Sequence, residues 1–272
     1  MKKFYIITNL LKDKTLETTY RIKNYIEEHG GECVLATPER ILPEGTECVL
    51  VLGGDGTLIR AARDMHAYDV PLLGINMGTL GYLTEVELSH VEEALDQLLD
   101  GETQVEKRMM LYAQVERRGR VIFSGEALND AVISKSGIMK MVHLNLNIDN
   151  CFVNEYYADG IILSTPTGST AYSLSAGGPV VVPSIDCMVV NPVCAHTVTS
   201  RPMVISSESM VKITVDRYHF EDVILSLDGG RGFRLKDKDV INIKKSENYV
   251  KLIRFENRSF YDILRTKLSE RN

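Results

Sequence analysis

Gly53-Gly54-Asp55-Gly56-Thr57 sets one carboxylate among three glycines, directly behind the apolar run Cys48-Val-Leu-Val-Leu52 and ahead of the helix-forming stretch Leu58 to Met65. A strand that breaks into glycines and restarts as a helix leaves backbone N–H groups unpaired, with a helix dipole behind them, which suits phosphate. A carboxylate inside such an anion cradle repels phosphate unless it has a separate task, such as orienting a hydroxyl or a metal. A kinase needs a group of this kind: phosphoryl transfer is mostly positioning and charge stabilisation, with an acidic residue taking the proton of the attacking hydroxyl. Asp55 is therefore the candidate catalytic residue, and Gly53, Gly54, Gly56, Thr57 and Arg60 are the candidate phosphate-binding set.

Other phosphate motifs fail on inspection. No Gly-Lys-Ser/Thr occurs, so a Walker-type loop is absent, and Ile59 stands where the third glycine of a dinucleotide fingerprint belongs. No His-Arg-Asp catalytic loop is present either.

Three further segments carry chemistry. Asn76-Met-Gly78 to Thr84 leaves an apolar run with glycines that permit close backbone approach, and its Asn offers both a donor and an acceptor. Asn129-Asp130 can meet an adenine edge or ribose hydroxyls, although a plain β-turn explains such a pair more often than not. Asp159 to Pro179 is rich in small hydroxyl residues: a turn is expected to open a short helix at Ser169 or Thr170, with Gly177-Gly178-Pro179 closing it and its amino end presenting donors to a ligand. Tyr172 and Ser175, three residues apart, share one face of that helix.

The elements that must position these residues fall into two patterns. Up to about residue 108, apolar β-prone runs (Phe4 to Thr8, Cys33 to Ala36, Glu47 to Leu52, Val70 to Ile75) alternate with helical periodicity over Asp13 to His29 and Ser89 to Asp100, stopped by Gly30-Gly31 and Gly101. That alternation predicts an α/β amino-terminal domain with an open, mostly parallel sheet, whose ligands sit beyond the carboxyl ends of its strands. From Met110 short alternating runs take over, with turns at Arg118-Gly119 and Asp149-Asn150, so residues 109–255 are expected to form a β-rich domain. Phe260, Ile263, Leu264 and Leu268 predict a terminal helix, and residues 256–272 are expected to complete the domain begun by residues 1–108.

Composition narrows the partners. Among 272 residues the net charge is −6, which argues against a nucleic-acid partner. No apolar run is long enough to span a bilayer, and Met1 to Asn9 is too short for a signal peptide, so no membrane partner is expected. The five cysteines form no C-x-x-C pair and are odd in number, which fits a reduced, cytoplasmic setting.

With these residues assembled, the sequence resembles the NAD kinase family over essentially its whole length. The matching words are Gly53 to Thr57, Gly74-Ile75-Asn76 with Gly78 through Leu83, Leu128-Asn129-Asp130, Asp159 through Tyr172, Cys194-Ala195-His196-Thr197 followed by Arg201-Pro202, and Leu227-Asp228-Gly229. The first of these is shared with phosphofructokinases and with diacylglycerol and sphingosine kinases; the hydroxyl-rich one is specific. The resemblance implies transfer of the γ-phosphoryl of ATP to the 2′-hydroxyl of the adenosine ribose of NAD, giving NADP. It implies that Asp55 holds that hydroxyl with Gly56 close by, that Asn129 and Asp130 bind the adenosine part, and that Asp159, Thr170, Ala171, Tyr172, Ser175 and Ala195 line the dinucleotide site. Ala195 departs from the Pro that family members commonly carry there. ATP is expected to set its γ-phosphoryl over Gly53 to Thr57 together with Mg²⁺ or another divalent cation, whose ligands the sequence does not identify. The resemblance also implies NAD bound across the subunit boundary of a homodimer or homotetramer. A lipid or sugar kinase using the same glycine loop, and a silent NAD(H) sensor, stay open as alternatives at this point.

Overall fold

The computed structural model describes residues 1–78, 81–137, 141–196, 200–216, 223–255 and 259–269, with the backbone alone at Leu268. The chain divides into two compact units, Met1–Lys107 with Tyr249–Asn272, and Arg108–Asn248.

The first unit runs β1 (Lys3–Thr8), α1 (Glu17–Glu28), β2 (Glu32–Leu35), β3 (Cys48–Gly53), α2 (Asp55–Met65), β4 (Leu72–Asn76), β5 (Val86–Glu87) and α3 (Val91–Asp100). Its strands pair in the order β5-β4-β3-β1-β2, all parallel. Every residue of β3 is buried, as a central parallel strand covered on both faces requires, and this is why its sequence is an unbroken apolar run. Ile22 and Ile26 of α1 and Val91, Leu95 and Leu98 of α3 pack onto Leu50, Leu52, Leu73 and Ile75 in one core.

Helix α1 starts at Glu17 rather than at Asp13. Leu16 sits in the left-handed region (φ 58°), and the buried Asp13 carboxylate accepts the Thr19 N–H at 2.9 Å and the Thr19 hydroxyl at 2.7 Å. Burial alone would raise the Asp13 pKa, but the Thr19 hydroxyl and the backbone N–H groups of Thr19, Thr18 and Glu17 outweigh it and hold the carboxyl below its usual range. Asp13 thus satisfies the free N–H groups of the first turn from outside the helix.

The second unit holds β6 (Gln104–Arg117) from Arg108 on, β7 (Arg120–Ala127), β8 (Asp130–Lys135), β9 (Val142–Ile148), β10 (Cys151–Ala158), β11 (Gly160–Ser164), α4 (Tyr172–Ser175), β12 (Cys187–Val193), β13 (Met203–Ser206), β14 (Val211–Asp216), β15 (Val223–Leu227), β16 (Phe233–Leu235) and the first part of β17 (Val240–Arg254). One antiparallel set is ordered β10-β9-β14-β17; a six-stranded antiparallel sheet is ordered β13-β12-β11-β8-β15-β16. Arg118-Gly119 and Asp149-Asn150 turn with positive φ at both residues, the signature of a tight hairpin whose twist matches its strands. Strands β11 and β12 were not anticipated: Ile161, Ile162 and Leu163 are wholly buried in the middle of the six-stranded sheet, inside the segment that looked like a functional turn.

The last part of β17 belongs to the first unit, where Leu252 lies opposite Leu72 of β4. After it α5 (Phe260–Ser269) forms where helical spacing predicted it, with Ile263 buried. Among the described residues no helix is long and apolar enough to cross a membrane.

Candidate functional site

In the first unit the site is built where β3 gives way to α2. Gly54 is extended (φ −136°) and its carbonyl accepts the N–H groups of Thr57 at 2.8 Å and Leu58 at 3.1 Å, which makes Asp55 the first helical residue. Gly53 must be glycine, since a Cβ there would stand 2.4 Å from the Thr57 hydroxyl oxygen.

The Asp55 carboxylate turns to a backbone segment far along the chain. Its Oδ2 accepts the Tyr82 N–H at 2.7 Å, and its Oδ1 accepts the N–H groups of Leu83 and Thr84, both at 3.1 Å. Gly81 makes this possible: a Cβ on it would overlap the carboxylate at 2.0–2.3 Å. A carboxylate has about four acceptor positions, so three N–H bonds fix its orientation and leave Oδ2 able to accept one more donor. Asn76, directly opposite Gly53 in the β3–β4 register, is 2% exposed; its Nδ2 donates to the Gly78 carbonyl at 2.6 Å, while its Oδ1 is buried with no protein partner among the described residues. Arg60 is exposed, with Nη1 4.0 Å from where a Gly56 Cβ would stand. Thr79 and Leu80 lie outside the described residues.

In the second unit Asp228 does to Leu128-Asn129-Asp130 what Asp55 does to Tyr82-Leu83-Thr84. It sits at φ 50°, and its carboxylate accepts the N–H groups of Leu128 at 2.8 Å, Asn129 at 2.7 Å and Asp130 at 3.1 Å. Its own N–H returns a bond to the Asp130 carbonyl at 3.0 Å. The pair Asn129-Asp130 is thereby fixed at the start of β8. Asp130 is buried, and burial, followed by the Asp228 charge, pushes its pKa up from 3.8 to about 7. The Asn129 Oδ1 is buried with no protein partner among the described residues.

The hydroxyl-rich segment after β11 packs against this pair, and its hydroxyls are spent internally. Thr165 Oγ1 donates to the Leu128 carbonyl at 2.6 Å and accepts the Gly168 N–H at 3.0 Å. Ser164 Oγ donates to the Thr165 carbonyl, Ser169 Oγ to the Pro166 carbonyl and Thr170 Oγ1 to the Thr167 carbonyl. A single 3₁₀ turn over Thr167–Thr170 precedes α4, and Gly168 is required because a Cβ would lie 2.1 Å from the Asn129 carbonyl oxygen. The hydroxyls expected to face a ligand are thus the internal frame of the turn. The exposed groups are Tyr172 and Ser175, on the same side of α4, with Ala171 just before them.

Asp159 and Ala195 stand apart from this cluster. Gly160 pairs with Ser134 and Val193, whereas Ser164, at the other end of β11, pairs with Asp130. The two ends are on the order of 13 Å apart at about 3.3 Å per residue. Asp159 is ion-paired with Lys135 at 2.6 Å, and Ala195 precedes His196, whose N–H donates to the Tyr157 carbonyl at 2.8 Å. Thr197 lies outside the described residues. Residue patterns alone did not single out Gly81 or Asp228 for these roles; each acts through a contact remote in sequence.

A family model described as ATP-NAD kinase N-terminal domain matches residues 36–103, and one described as ATP-NAD kinase C-terminal domain matches residues 128–255. The NAD kinase of Thermoanaerobacter sp. (strain X514) is 39% identical over 284 aligned positions, covering 100% of both chains. That of Moorella thermoacetica is 41% identical over 282, covering 99% of this chain and 90% of the relative. Among solved structures, an NAD kinase from Archaeoglobus fulgidus in complex with ATP superposes with a TM-score of 0.79 at 25% identity, covering 98% of each chain. Yeast NADH kinase complexed with NADH shares the fold, with a TM-score of 0.85 at 22% identity over 97% of this chain and 86% of that one.

Proposed function

The chain belongs to the NAD kinase family, and on that premise we propose how its residues divide the work of phosphorylating NAD. The enzyme is a transferase with ATP and NAD as substrates. Asp55 orients the 2′-hydroxyl of the adenosine ribose. That oxygen attacks the γ-phosphorus as the bond to the β–γ bridging oxygen breaks, ADP leaves, and the hydroxyl proton passes late to the Asp55 carboxylate. The reading rests on one observation: Asp55 is held by three backbone N–H groups with acceptor capacity left on Oδ2. In a loose transition state the hydroxyl proton leaves late, so a carboxylate serves mainly by orientation, and a side chain already immobilised suits that role.

Gly53, Gly54, Gly56, Thr57 and Arg60 hold the phosphates of ATP, and Asn129 and Asp130 hold the adenosine part of NAD, with Thr170, Ala171, Tyr172 and Ser175 beside them. A carboxyl poised near neutrality can donate as well as accept, which suits a ligand offering both kinds of edge. Among the described residues no group of three or more His, Cys, Asp or Glu side chains could hold a metal. We propose Mg²⁺ or another divalent cation as the counter-ion of the triphosphate, where it would offset phosphate charge.

Asp159 and Ala195 complete the dinucleotide site of a second copy, in a homodimer or homotetramer. What supports this is their distance from Asp130 along β11, which one nucleoside contact set does not bridge. We place the enzyme in the cytoplasm, in keeping with five cysteines that form no disulfide.

Asp55→Asn and Asp55→Ala test the central assignment. Turnover is expected to fall roughly 10²-fold or more, with NAD binding far less affected. Near-normal NADP formation by either variant, read with a coupled dehydrogenase, removes Asp55 from the mechanism.

A further inference from the structure

Lys12 lies on the loop between β1 and α1, with no local motif to mark it. A Cβ placed on Gly54 or on Gly78 would stand 3.3 Å from its Nζ in each case, so the ammonium touches both the glycine turn ahead of α2 and the loop leaving β4. The side chain is exposed and has no hydrogen-bond or ion-pair partner among the described residues.

The loop that carries it is fastened to the same site. The Asn9 N–H donates to the Leu52 carbonyl at 2.9 Å, and Asn9 Nδ2 donates to the Thr57 hydroxyl at 3.0 Å. The Asn9 Oδ1 accepts the Leu11 N–H at 3.0 Å, and the Asn9 carbonyl accepts the N–H groups of Lys12 at 2.9 Å and Asp13 at 3.0 Å. Asp13 then locks the loop to the first turn of α1. A lysine tail costs entropy to immobilise, but here its backbone is tied to Asn9, which is itself held by a backbone bond to Leu52 and a side-chain bond to Thr57.

We propose that Lys12 is a ligand of the donor's phosphates, closing the Gly53–Thr57 cradle at Gly54 and Gly78. This deepens, and rests on, the reading that ATP lies over that cradle. Two cations then flank the amino end of α2, Lys12 against Gly54 and Gly78 and Arg60 against Gly56. They offset the charge of a triphosphate at a site whose acidic group, Asp55, is turned toward Tyr82, Leu83 and Thr84.

The test uses the full chain carrying Lys12→Ala, Lys12→Arg or Gly56→Leu. The last puts bulk into the cradle at an exposed position where a Cβ meets only the Arg60 Nη1 at 4.0 Å. For Lys12→Ala, KM for ATP and the inhibition constant of inorganic tripolyphosphate are both expected to rise about tenfold, the scale of one charge-assisted contact. KM for NAD should stay within about twofold, and Lys12→Arg should recover most of the loss, since a guanidinium also binds phosphate. Gly56→Leu should raise KM for ATP as well. If Gly56→Leu impairs ATP use while Lys12→Ala changes neither ATP nor tripolyphosphate, the cradle stands and the Lys12 assignment falls. If neither variant affects ATP, the cradle reading falls and takes Lys12 with it. Equal losses toward ATP and NAD in Lys12→Ala overturn a phosphate role in favour of a structural one.

Discussion

Asp55 in the first unit and Asp228 in the second each accept three successive backbone N–H groups from a remote segment, at 2.7–3.1 Å. The consequences run in opposite directions. The segment gripped by Asp55 contributes three N–H bonds and the Thr84 hydroxyl to it, all but one of them to Oδ1, so the fixed carboxylate is itself the group left to act. Asp228 grips Leu128-Asn129-Asp130, whose own side chains, a buried acid and an amide whose Oδ1 has no partner among the described residues, are the groups left to act. The same local device immobilises a reagent in one place and builds a platform in the other. The neighbours decide which: Gly81 leaves open the space that the Asp55 carboxylate fills, whereas Asp130 is enclosed next to a second charge.

The contrast breaks most easily at Asp228. Asp228→Ala strands three N–H groups at the start of β8, and the expected loss of stability is about 3–5 kcal/mol, with KM for NAD raised at least about tenfold. Urea unfolding with a parallel assay reads both. A variant that keeps its stability and loses only turnover would make Asp228 a chemical residue and erase the distinction.

Gly81→Ala probes the other side. Its Cβ, 2.0–2.3 Å from the carboxylate, drives Asp55 off the Tyr82–Thr84 backbone, so turnover is expected to fall by about 10²-fold, and the N–H groups left unpaired lower the melting temperature as well. The sharper measurement is the double variant with Asp55→Ala, which should be no worse than Asp55→Ala alone because the two act through one group. Additive losses would mean that Gly81 serves something other than Asp55.

These two grips differ in how far the sequence exposes them. Asp55 is legible because the local order strand, glycines, helix dictates its surroundings. Asp228 is visible only as part of the word Leu227-Asp228-Gly229; its role depends on pairing with residues about a hundred positions earlier, which no local pattern carries. The alternating α/β pattern up to about residue 108 was readable for the same reason as Asp55, its periodicity being local. Strands β11 and β12 escaped because a short, wholly buried strand has no alternation to betray it, and the hydroxyls that follow drew attention to ligand contact rather than to the turn they build. The start of α1 shifted to Glu17 because a side chain outside the helix, Asp13, does the capping. Lys12 is an ordinary loop lysine until Asn9 ties its loop to Thr57.

The separation of Asp159 from Asp130 gives a smaller effect to measure. If each dinucleotide site takes Asp130 from one copy and Asp159 from another, Asp130→Ala and Asp159→Ala enzymes, each inactive alone, should recover activity when unfolded and refolded together. Random pairing in a dimer leaves about one quarter of the sites intact. No recovery from a mixture that forms mixed oligomers would confine the site to one chain.

The smallest effect concerns the platform itself. Asp130 has its pKa raised in the folded chain from 3.8 to about 7, by burial first and by the Asp228 charge second. Between those two values the folded protein holds a proton that the unfolded chain has released, so this group makes stability fall as pH rises through that window and leaves it flat above about 7. Asp130→Asn keeps the shape and removes the titration. Its melting temperature should decline less than the wild type's between pH 4 and pH 7, by about 3 °C or more in the difference. Identical pH profiles for Asp130→Asn and the wild type would show that Asp130 is ionised in the fold, and the platform would then be a charged pair held apart by its N–H bonds rather than a carboxyl able to donate.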